Sequence, residues 1–176
     1  MKTPTELAGA VAGRARAQRD RYAHGQDRPL GGYLATMTVY SGLVGVLALA
    51  TRATGREVPE LSGTDVIRCA AATQKLSRLL AKDPVTSPLR APFAEYEGTA
   101  GPAELQERPR GMGERKTIGE LVTCPFCTSV WVATGFTAGL VFLPRTTRLA
   151  IGTLSGLAAA DLLQYVHALL EQAAGG

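Results

Sequence analysis

Three long hydrophobic stretches constrain the fold of this 176-residue chain more than any other feature of its sequence. Residues 30–50 and 121–143 contain no charged side chain, and residues 149–170 contain one acidic residue, Asp161, and no Lys or Arg. An α-helix of about 20 residues, rising about 1.5 Å per residue, crosses the roughly 30 Å of hydrocarbon in a bilayer. Because uncharged helices of this length are uncommon in soluble proteins, the stretches predict three transmembrane helices.

The segments between these stretches are polar. Residues 1–29 form a basic tail that is predicted to be flexible, and residues 51–120 form a long polar connection. Within it, residues 65–82 carry apolar side chains at helical spacing, with basic ones mostly off that stripe, which predicts an amphipathic helix. Residues 95–117 are rich in Gly, Pro, Glu and Arg and are expected to form a mobile linker. The predicted fold is therefore an all-α membrane protein with three transmembrane helices and an amphipathic helix between the first two.

Two placements of this amphipathic helix fit its pattern. A basic amphipathic helix that is flanked by membrane spans can lie on the lipid surface. Alternatively, its apolar face packs on the membrane helices or on a partner protein. That face consists of Val66, Cys69, Ala70, Thr73, Leu76 and Leu80.

Charge and cysteine content exclude several classes of protein. The net charge of +4 fits the Lys and Arg that membrane proteins carry beside their spans. Nucleic-acid binding is not expected, because the sequence has no basic patch with aromatic residues and no binding motif. Three cysteines are too few for a disulfide scaffold. No small-molecule substrate, cofactor or complete catalytic constellation is evident, so the sequence favours a non-enzymatic protein.

Composition and basic residues also predict location and orientation. Richness in Ala, Gly and Arg is typical of a GC-rich bacterial genome, which predicts a multi-pass protein of the bacterial cytoplasmic membrane. Residues 1–29 lack the apolar core of a cleavable signal, so the first stretch is expected to be an uncleaved anchor. Three spans place this tail on the same side as the basic turn 144–148, which predicts a cytoplasmic N-terminus. The Lys and Arg of the long connection favour the opposite orientation, but long loops count less in this rule.

Small residues recur at four-residue spacing in the hydrophobic stretches. Gly135 and Gly139 lie in the second stretch, and Gly152 and Gly156 lie in the third. Such pairs allow close backbone approach between membrane helices, although glycine is also generally enriched there. Three helices are few for enclosing a transport pathway, so self-association or another protein partner is expected.

The sharpest local motif is Cys124-Pro125-Phe126-Cys127. It resembles the active site of glutaredoxin-like oxidoreductases, but no strand precedes it, which excludes a thioredoxin fold. One interpretation is a thiol–disulfide pair with Cys124 as the nucleophile and Cys127 as the resolving thiol. The alternative is a pair of small residues that pack at the membrane edge. Trp131, one turn later, would cover the pair or anchor at the interface.

A metal site is a third interpretation of the same motif. It needs two ligands beyond Cys124 and Cys127, and the candidates Cys69, His24 and His167 are scattered through the chain. No metal is therefore predicted.

Asp161 is unusual for its position in a hydrophobic stretch. A lipid-facing acidic residue costs about 2–3 kcal/mol on insertion scales, so the side chain should face the helix bundle, a water-filled crevice or a partner. It is interpreted as a proton or cation site, as a hydrogen-bonded contact between helices, or as an acid close enough to the membrane interface to stay hydrated. No Lys or Arg within a hydrophobic stretch is available to pair with it.

Three segments together form a more specific pattern than any one of them. They are KLSRLLAKDPVTSPLRAPF at 75–93, Gly119-Glu120-Leu121, and Cys124-Pro125-Phe126-Cys127 followed by Trp131. This combination resembles the bacterial membrane proteins grouped as domain of unknown function 1360, over the region from about Leu30 to the C-terminus. The resemblance implies a multi-pass membrane protein of undefined molecular activity. The resemblance also marks eight residues as relevant without assigning them a role: Arg78, Asp83, Pro84, Arg90, Pro92, Cys124, Cys127 and Trp131. The residues predicted to contact a partner or to have a structural role are Arg78, Asp83, Pro84, Arg90, Trp131 and Asp161.

The function expected from these features is that of a non-enzymatic membrane anchor or adaptor. Its polar segments are long and its predicted spans are few, which favours recruitment of a protein partner over transport. The alternative function is that of a membrane-embedded thiol–disulfide redox protein that uses Cys124 and Cys127.

Overall fold

The computed structural model describes residues 3–174, apart from the side chains of residues 4, 7 and 8. This part of the chain is mostly helical and contains one β-hairpin. Its helices are α1 (Pro4–Ala23), α2 (Leu30–Ala53), α3 (Gly63–Lys82), α4 (Ser87–Arg90), α5 (Gly113–Thr123), α6 (Pro125–Phe142) and α7 (Pro144–Ala174), with a short 3-10 turn at Pro84–Thr86. Strands β1 (Ala94–Gly101) and β2 (Glu104–Pro109) pair antiparallel. The all-α prediction is therefore incomplete.

Three of the described helices, α2, α6 and α7, are long and apolar enough to cross a membrane. Most of their apolar side chains are exposed in the isolated chain, including Leu34 and Val39 of α2 and Leu163 and Leu170 of α7. Contiguous apolar surface on this scale is rarely left to water and indicates a membrane protein. The helices differ from the predicted spans at their ends, because α2 extends to Ala53 and α7 runs through 144–174.

The second predicted span, 121–143, is interrupted at Cys124. Helix α5 ends at Thr123, and Cys124 takes an extended conformation with φ −105° and ψ 108° before α6 begins. The cause is Pro125, since a proline disfavours helical geometry in the residue before it. Proline itself suits the first position of a helix, where its missing N–H is not needed.

Residues 95–117, expected to form a mobile linker, instead form most of the hairpin and the start of α5. The hairpin pairs Ala94 with Pro109 at one end and Gly101 with Glu104 at the other. The Gly-rich, charged composition is typical of linkers, but here the charges pair across the strands: Arg108 contacts Glu95 at 2.7 Å and Glu97 at 3.2 Å. Composition alone does not reveal such pairing.

The polar tail 1–29, expected to be flexible, contains helix α1. Thr3 caps the helix, because its hydroxyl accepts the amide of Glu6 while the Glu6 carboxylate accepts the amide of Thr3. His24 ends the helix in a left-handed conformation. A Thr followed three residues later by a Glu is the local signal for this reciprocal cap, so the prediction of a flexible tail is incomplete. Residues 1 and 2 lie outside the described part.

Helix α3 occupies the segment expected to be an amphipathic helix and packs against both α6 and α7. Its Ala72 joins Phe136, Leu140 and Ile151 in the buried core cluster of the described residues. The buried side differs from the predicted stripe, since Val66 and Ala70 are exposed. Small side chains fill the closest contacts instead: Ala72, Ser77 and Ala81 are the buried residues of the helix.

The bundle formed by the helices has two ends. We name the end that carries β1 and β2 the hairpin end, and the end where residue 143 joins α6 to α7 the turn end. Helices α2 and α6 run in the same direction from the hairpin end. Tyr33 near the start of α2 bonds Glu120 just before α6, and Arg56 just after α2 donates to the Phe142 carbonyl at the end of α6.

Candidate functional site

Arg90 is the most deeply buried large side chain of the described residues, with 1% exposure. Its Nε and Nη2 donate to the Glu107 carboxylate at 2.5 and 3.2 Å. Its Nη1 donates to the Leu80 carbonyl at 2.8 Å and to Thr86 Oγ1 at 2.6 Å, and Nη2 donates to the Asp83 carbonyl at 3.1 Å. One guanidinium therefore ties the end of α3 and the turn after it to strand β2.

The residues before Arg90 explain how it reaches this position. Asp83 ends α3 in an extended conformation, and its carboxylate accepts the Val85 amide at 2.8 Å. Pro84 then starts a 3-10 turn that reverses the chain into α4. The family resemblance marked three of these residues, Asp83, Pro84 and Arg90. All three belong to the turn and short helix that follow α3.

A groove of about 630 Å³ lies between α3, α7 and the hairpin tip. Arg78 of α3 forms two hydrogen bonds with the Glu104 carboxylate, at 2.8 and 2.7 Å. Lys75, one turn earlier, forms an ion pair with Asp161 of α7 at 2.5 Å. Gln74 and Tyr165 also line the groove. Two charge pairs therefore connect α3 to the hairpin and to α7.

Lys75 is the partner that sequence analysis missed for Asp161. It lies in the polar connection, 86 positions away along the chain, and no hydrophobic stretch contains it. The one available signal was that an acid in a span requires a basic or polar neighbour. The Lys75 ammonium group already pairs with the Asp161 carboxylate. The geometry therefore favours a contact between helices over a proton or cation site at Asp161.

Cys124 and Cys127 lie together at the start of α6. The Cys127 amide is directed at the Cys124 sulfur at 3.3 Å, and the two sulfur atoms are 2.8 Å apart. Both are free thiols, and Cys127 is exposed. Phe126 between them is 85% exposed. The motif therefore forms an accessible vicinal thiol pair at the hairpin end.

Cys69, the proposed additional metal ligand, is not near this pair. It packs against the core cluster that contains Phe136, about three helical turns beyond Cys124 along α6. Within residues 3–174, no group of three or more His, Cys, Asp or Glu side chains has the geometry to hold a metal ion. The structure thus brings together only two of the three cysteines.

Trp131 contacts helix α2. Its ring packs edge-to-face on Tyr40, with 5.3 Å between ring centres and 74° between planes. The Tyr40 hydroxyl also bonds Thr134 Oγ1 at 2.9 Å. These contacts, together with that of Tyr33 with Glu120 at 2.5 Å, join α2 to α5 and α6. Two positions are open to these tyrosines from their place in the first hydrophobic stretch, the membrane interface or a contact between helices, and the structure places both between helices.

The four glycines predicted to pack helices behave differently. Gly139 lies against the Thr147 side chain of α7, so a Cβ at Gly139 would collide with it. A Cβ at Gly135, Gly152 or Gly156 would meet no atom within 4 Å. Close packing between the described helices of one chain therefore uses only Gly139 of this set.

Comparison with known proteins identifies the family. The model of the family described as "Protein of unknown function (DUF1360)" matches residues 69–167. This match begins later than the expected Leu30, so α1 and α2 lie outside it. "Sporulation protein YjcA" of Bacillus subtilis (strain 168) is 31% identical over 105 residues, which cover 55% of this chain and 89% of that protein. No solved structure matches the chain. The matched region covers the hairpin, α6 and most of α3 and α7, and the chain belongs to the DUF1360 family.

Proposed function

We propose that this protein is a non-enzymatic membrane adaptor that presents a folded polar segment to a protein partner at the bilayer surface. We name residues 83–112 the head. The observation that carries the proposal is the buried Arg90 side chain, which forms an ion pair with Glu107 inside the head and also donates to the Leu80 carbonyl of α3. A preorganised surface loses less conformational entropy on binding than a mobile linker does, which favours recruitment.

The exposed surface of the head has the composition of a recognition surface. Tyr96 of β1 is 65% exposed and Met112 is 79% exposed. Arg108 of β2 and Arg110, which follows β2, both pair with Glu95 of β1. Tyr, Met and Arg are enriched at protein–protein interfaces, so this surface suits a protein partner. The bacterial relative supports a bacterial origin, and the three apolar helices support a membrane location, for which we propose the cytoplasmic membrane.

Photo-crosslinking in cells tests the adaptor function. Tyr96 is replaced by p-benzoylphenylalanine in the head, and Leu163, an exposed apolar residue of α7, is replaced in the control. Position 96 is expected to give one defined adduct with another protein, and position 163 is expected to react with lipid.

A second pair of variants tests whether the adduct reports recruitment. Tyr96→Ala is expected to lower the amount of partner that co-purifies about tenfold, because the interface loses an aromatic anchor. Val58→Ala, an exposed apolar position at the turn end, is expected to leave it unchanged. Reaction of position 96 with lipid or with the chain itself alone would refute the adaptor function.

A thiol–disulfide function is the second candidate, favoured by the 2.8 Å separation of the Cys124 and Cys127 sulfurs. In the proposed reaction the Cys124 thiolate attacks the disulfide of a partner protein, and a mixed disulfide forms as one partner thiol leaves. Cys127 then displaces the second partner thiol. The net change is a Cys124–Cys127 disulfide and a reduced partner, with two electrons and two protons transferred.

Trapping in cells tests this candidate. Rapid acid quenching and alkylation are expected to show both the dithiol and the disulfide form of the pair. Cys127→Ser is expected to accumulate a mixed disulfide at Cys124, because the resolving thiol is missing. The redox candidate fails if the pair is reduced under every condition and the variant forms no mixed disulfide.

A further inference from the structure

We infer that α3 crosses the bilayer as a fourth, polar membrane helix in contact with lipid. The connection 54–62 and the head then lie on opposite sides of the membrane. This inference concerns topology and does not depend on the adaptor function. It starts from the relative direction of α2 and α6.

Helices α2 and α6 run parallel, which requires a return crossing between them. Tyr33 and Glu120 meet at the hairpin end, and Tyr40 meets Thr134 farther along. Arg56 then reaches the Phe142 carbonyl at the turn end. If two consecutive apolar helices cross a membrane in the same direction, the chain between them must cross back. Helix α3 is the element that connects the two ends.

The contacts of α3 show that it runs alongside α7 for about two helical turns. Near its start, the Arg68 carbonyl accepts the hydroxyl of Ser155 at 2.8 Å. Farther along, Lys75 pairs with Asp161. Seven positions on α3, from Arg68 to Lys75, therefore correspond to six on α7, from Ser155 to Asp161. The two helices run parallel over this length. A helix lying flat on the lipid surface would cross α7 at a steep angle and would not maintain such contacts.

Helix α3 has the length of a membrane span. Its 20 residues extend about 30 Å. Near its end, Leu80 lies with Leu121 and Trp131 around a small apolar pocket, whereas Ala72 lies beside Leu140 at the opposite half of α6. The helix is therefore antiparallel to α6 over most of its length.

The charges of α3 are placed where a membrane helix tolerates them. Asp65 and Arg68 lie near its start, and Arg78 and Lys82 lie near its end, where long side chains reach the interface. Lys75, the basic residue deepest in the helix, is neutralised by Asp161. These charges explain why hydropathy alone does not select α3 as a span.

The outward side of α3 carries apolar residues. Val66 is 53% exposed and Ile67 is 71% exposed, both on the turn-end half of the helix. Ala70, one turn later, is exposed as well. Hydrocarbon is the partner that suits these residues, because they lie at the same level as the exposed apolar surface of the neighbouring α7.

The distribution of basic residues agrees with this topology. Residues 3–29 contain five Lys or Arg and residues 78–116 contain seven, all on the side of the hairpin end. The turn-end residues 51–68 and 144–148 contain five: Arg52, Arg56, Arg68, Arg145 and Arg148. The crossing of α3 thus removes the conflict that three spans create, and it predicts a cytoplasmic hairpin end.

Site-directed thiol labelling of the full-length protein tests the inference. In a background with Cys69→Ala, Cys124→Ser and Cys127→Ser, single cysteines are introduced by Glu57→Cys, Ala103→Cys and Thr146→Cys, all at exposed positions. A membrane-impermeant maleimide is applied to intact cells and, separately, to permeabilised cells. Positions 57 and 146 are expected to label in intact cells, and position 103 only after permeabilisation.

One result overturns the inference. Suppose that positions 57 and 103 both label in intact cells, or both label only after permeabilisation, while position 146 labels in intact cells as expected. Helix α3 then does not cross the membrane. Three further variants each keep one natural cysteine, Cys69, Cys124 or Cys127, and contain no introduced cysteine. They provide a check that does not alter the head or the loops. Cys127 is exposed at the hairpin end and is expected to label together with position 103.

Discussion

Lys75 of α3 and Asp161 of α7 form an ion pair with 2.5 Å between the ammonium nitrogen and a carboxylate oxygen. Their side chains are 23% and 42% exposed, so the pair is half-buried. The two residues are 86 positions apart in the sequence, and their contact joins α3 to α7. An acidic residue in an apolar helix is thereby matched by a basic residue from a polar one.

Removing one member of this pair is expected to destabilise the protein. Asp161→Asn should lower the free energy of unfolding by about 1–2 kcal/mol, more than an exposed pair contributes and less than an isolated charge in hydrocarbon costs. Exchange of the charges, Lys75→Asp with Asp161→Lys, should recover much of the loss. Thermal unfolding in detergent measures all three proteins. A structural role for the pair is excluded if Asp161→Asn unfolds at the wild-type temperature.

Arg90 is expected to be essential for the folded head. Arg90→Met leaves the Glu107 carboxylate buried without a partner, which should cost about 3–5 kcal/mol. Arg90→Lys should also be destabilising, because one ammonium group cannot replace a guanidinium that contacts several acceptors at once. Protection of the hairpin from limited proteolysis is the measurement.

A matched control for Arg90 exists on the same hairpin. Arg110→Lys changes a partly exposed arginine that pairs with Glu95, and it should change stability by less than about 1 kcal/mol. Equal protease resistance of Arg90→Met and Arg110→Lys would show that the buried pair does not hold the head.

Two glycines of α6 are expected to respond oppositely to the same substitution. Gly139→Ala places a methyl group against Thr147, and overpacking of this kind costs about 1–3 kcal/mol. Gly135→Ala meets open space, so the better helix propensity of alanine should leave stability unchanged or raise it by up to about 1 kcal/mol. Thermal unfolding in detergent compares them. A larger loss for Gly135→Ala would instead indicate that this face packs on a second molecule.

The apolar helices could be predicted from sequence because long uncharged stretches have few alternatives. Residues 30–50 needed only a length argument, and α2 contains them. The start of α6 could also be predicted, because a proline suits the first turn of a helix, which places Cys124 at the N-terminus of that helix. Local rules fix these features, so no knowledge of distant contacts was required.

Distant pairings account for most of what sequence analysis missed. Glu107 in an isolated strand resembles a solvated linker residue, and only its contact with Arg90 explains its burial. Lys75 likewise resembles a surface residue of an amphipathic helix until α7 places Asp161 beside it. Both pairs join segments whose proximity depends on the whole topology, which periodicity and composition do not encode.

The central claim is that lipid surrounds the apolar helices α2, α6 and α7. Alkaline carbonate extraction of membranes from cells that produce the full chain tests it most directly. The protein is expected to remain in the membrane pellet and to be released only by detergent. Recovery of the folded protein in the carbonate supernatant, or as a monodisperse species in buffer without detergent, would contradict the claim.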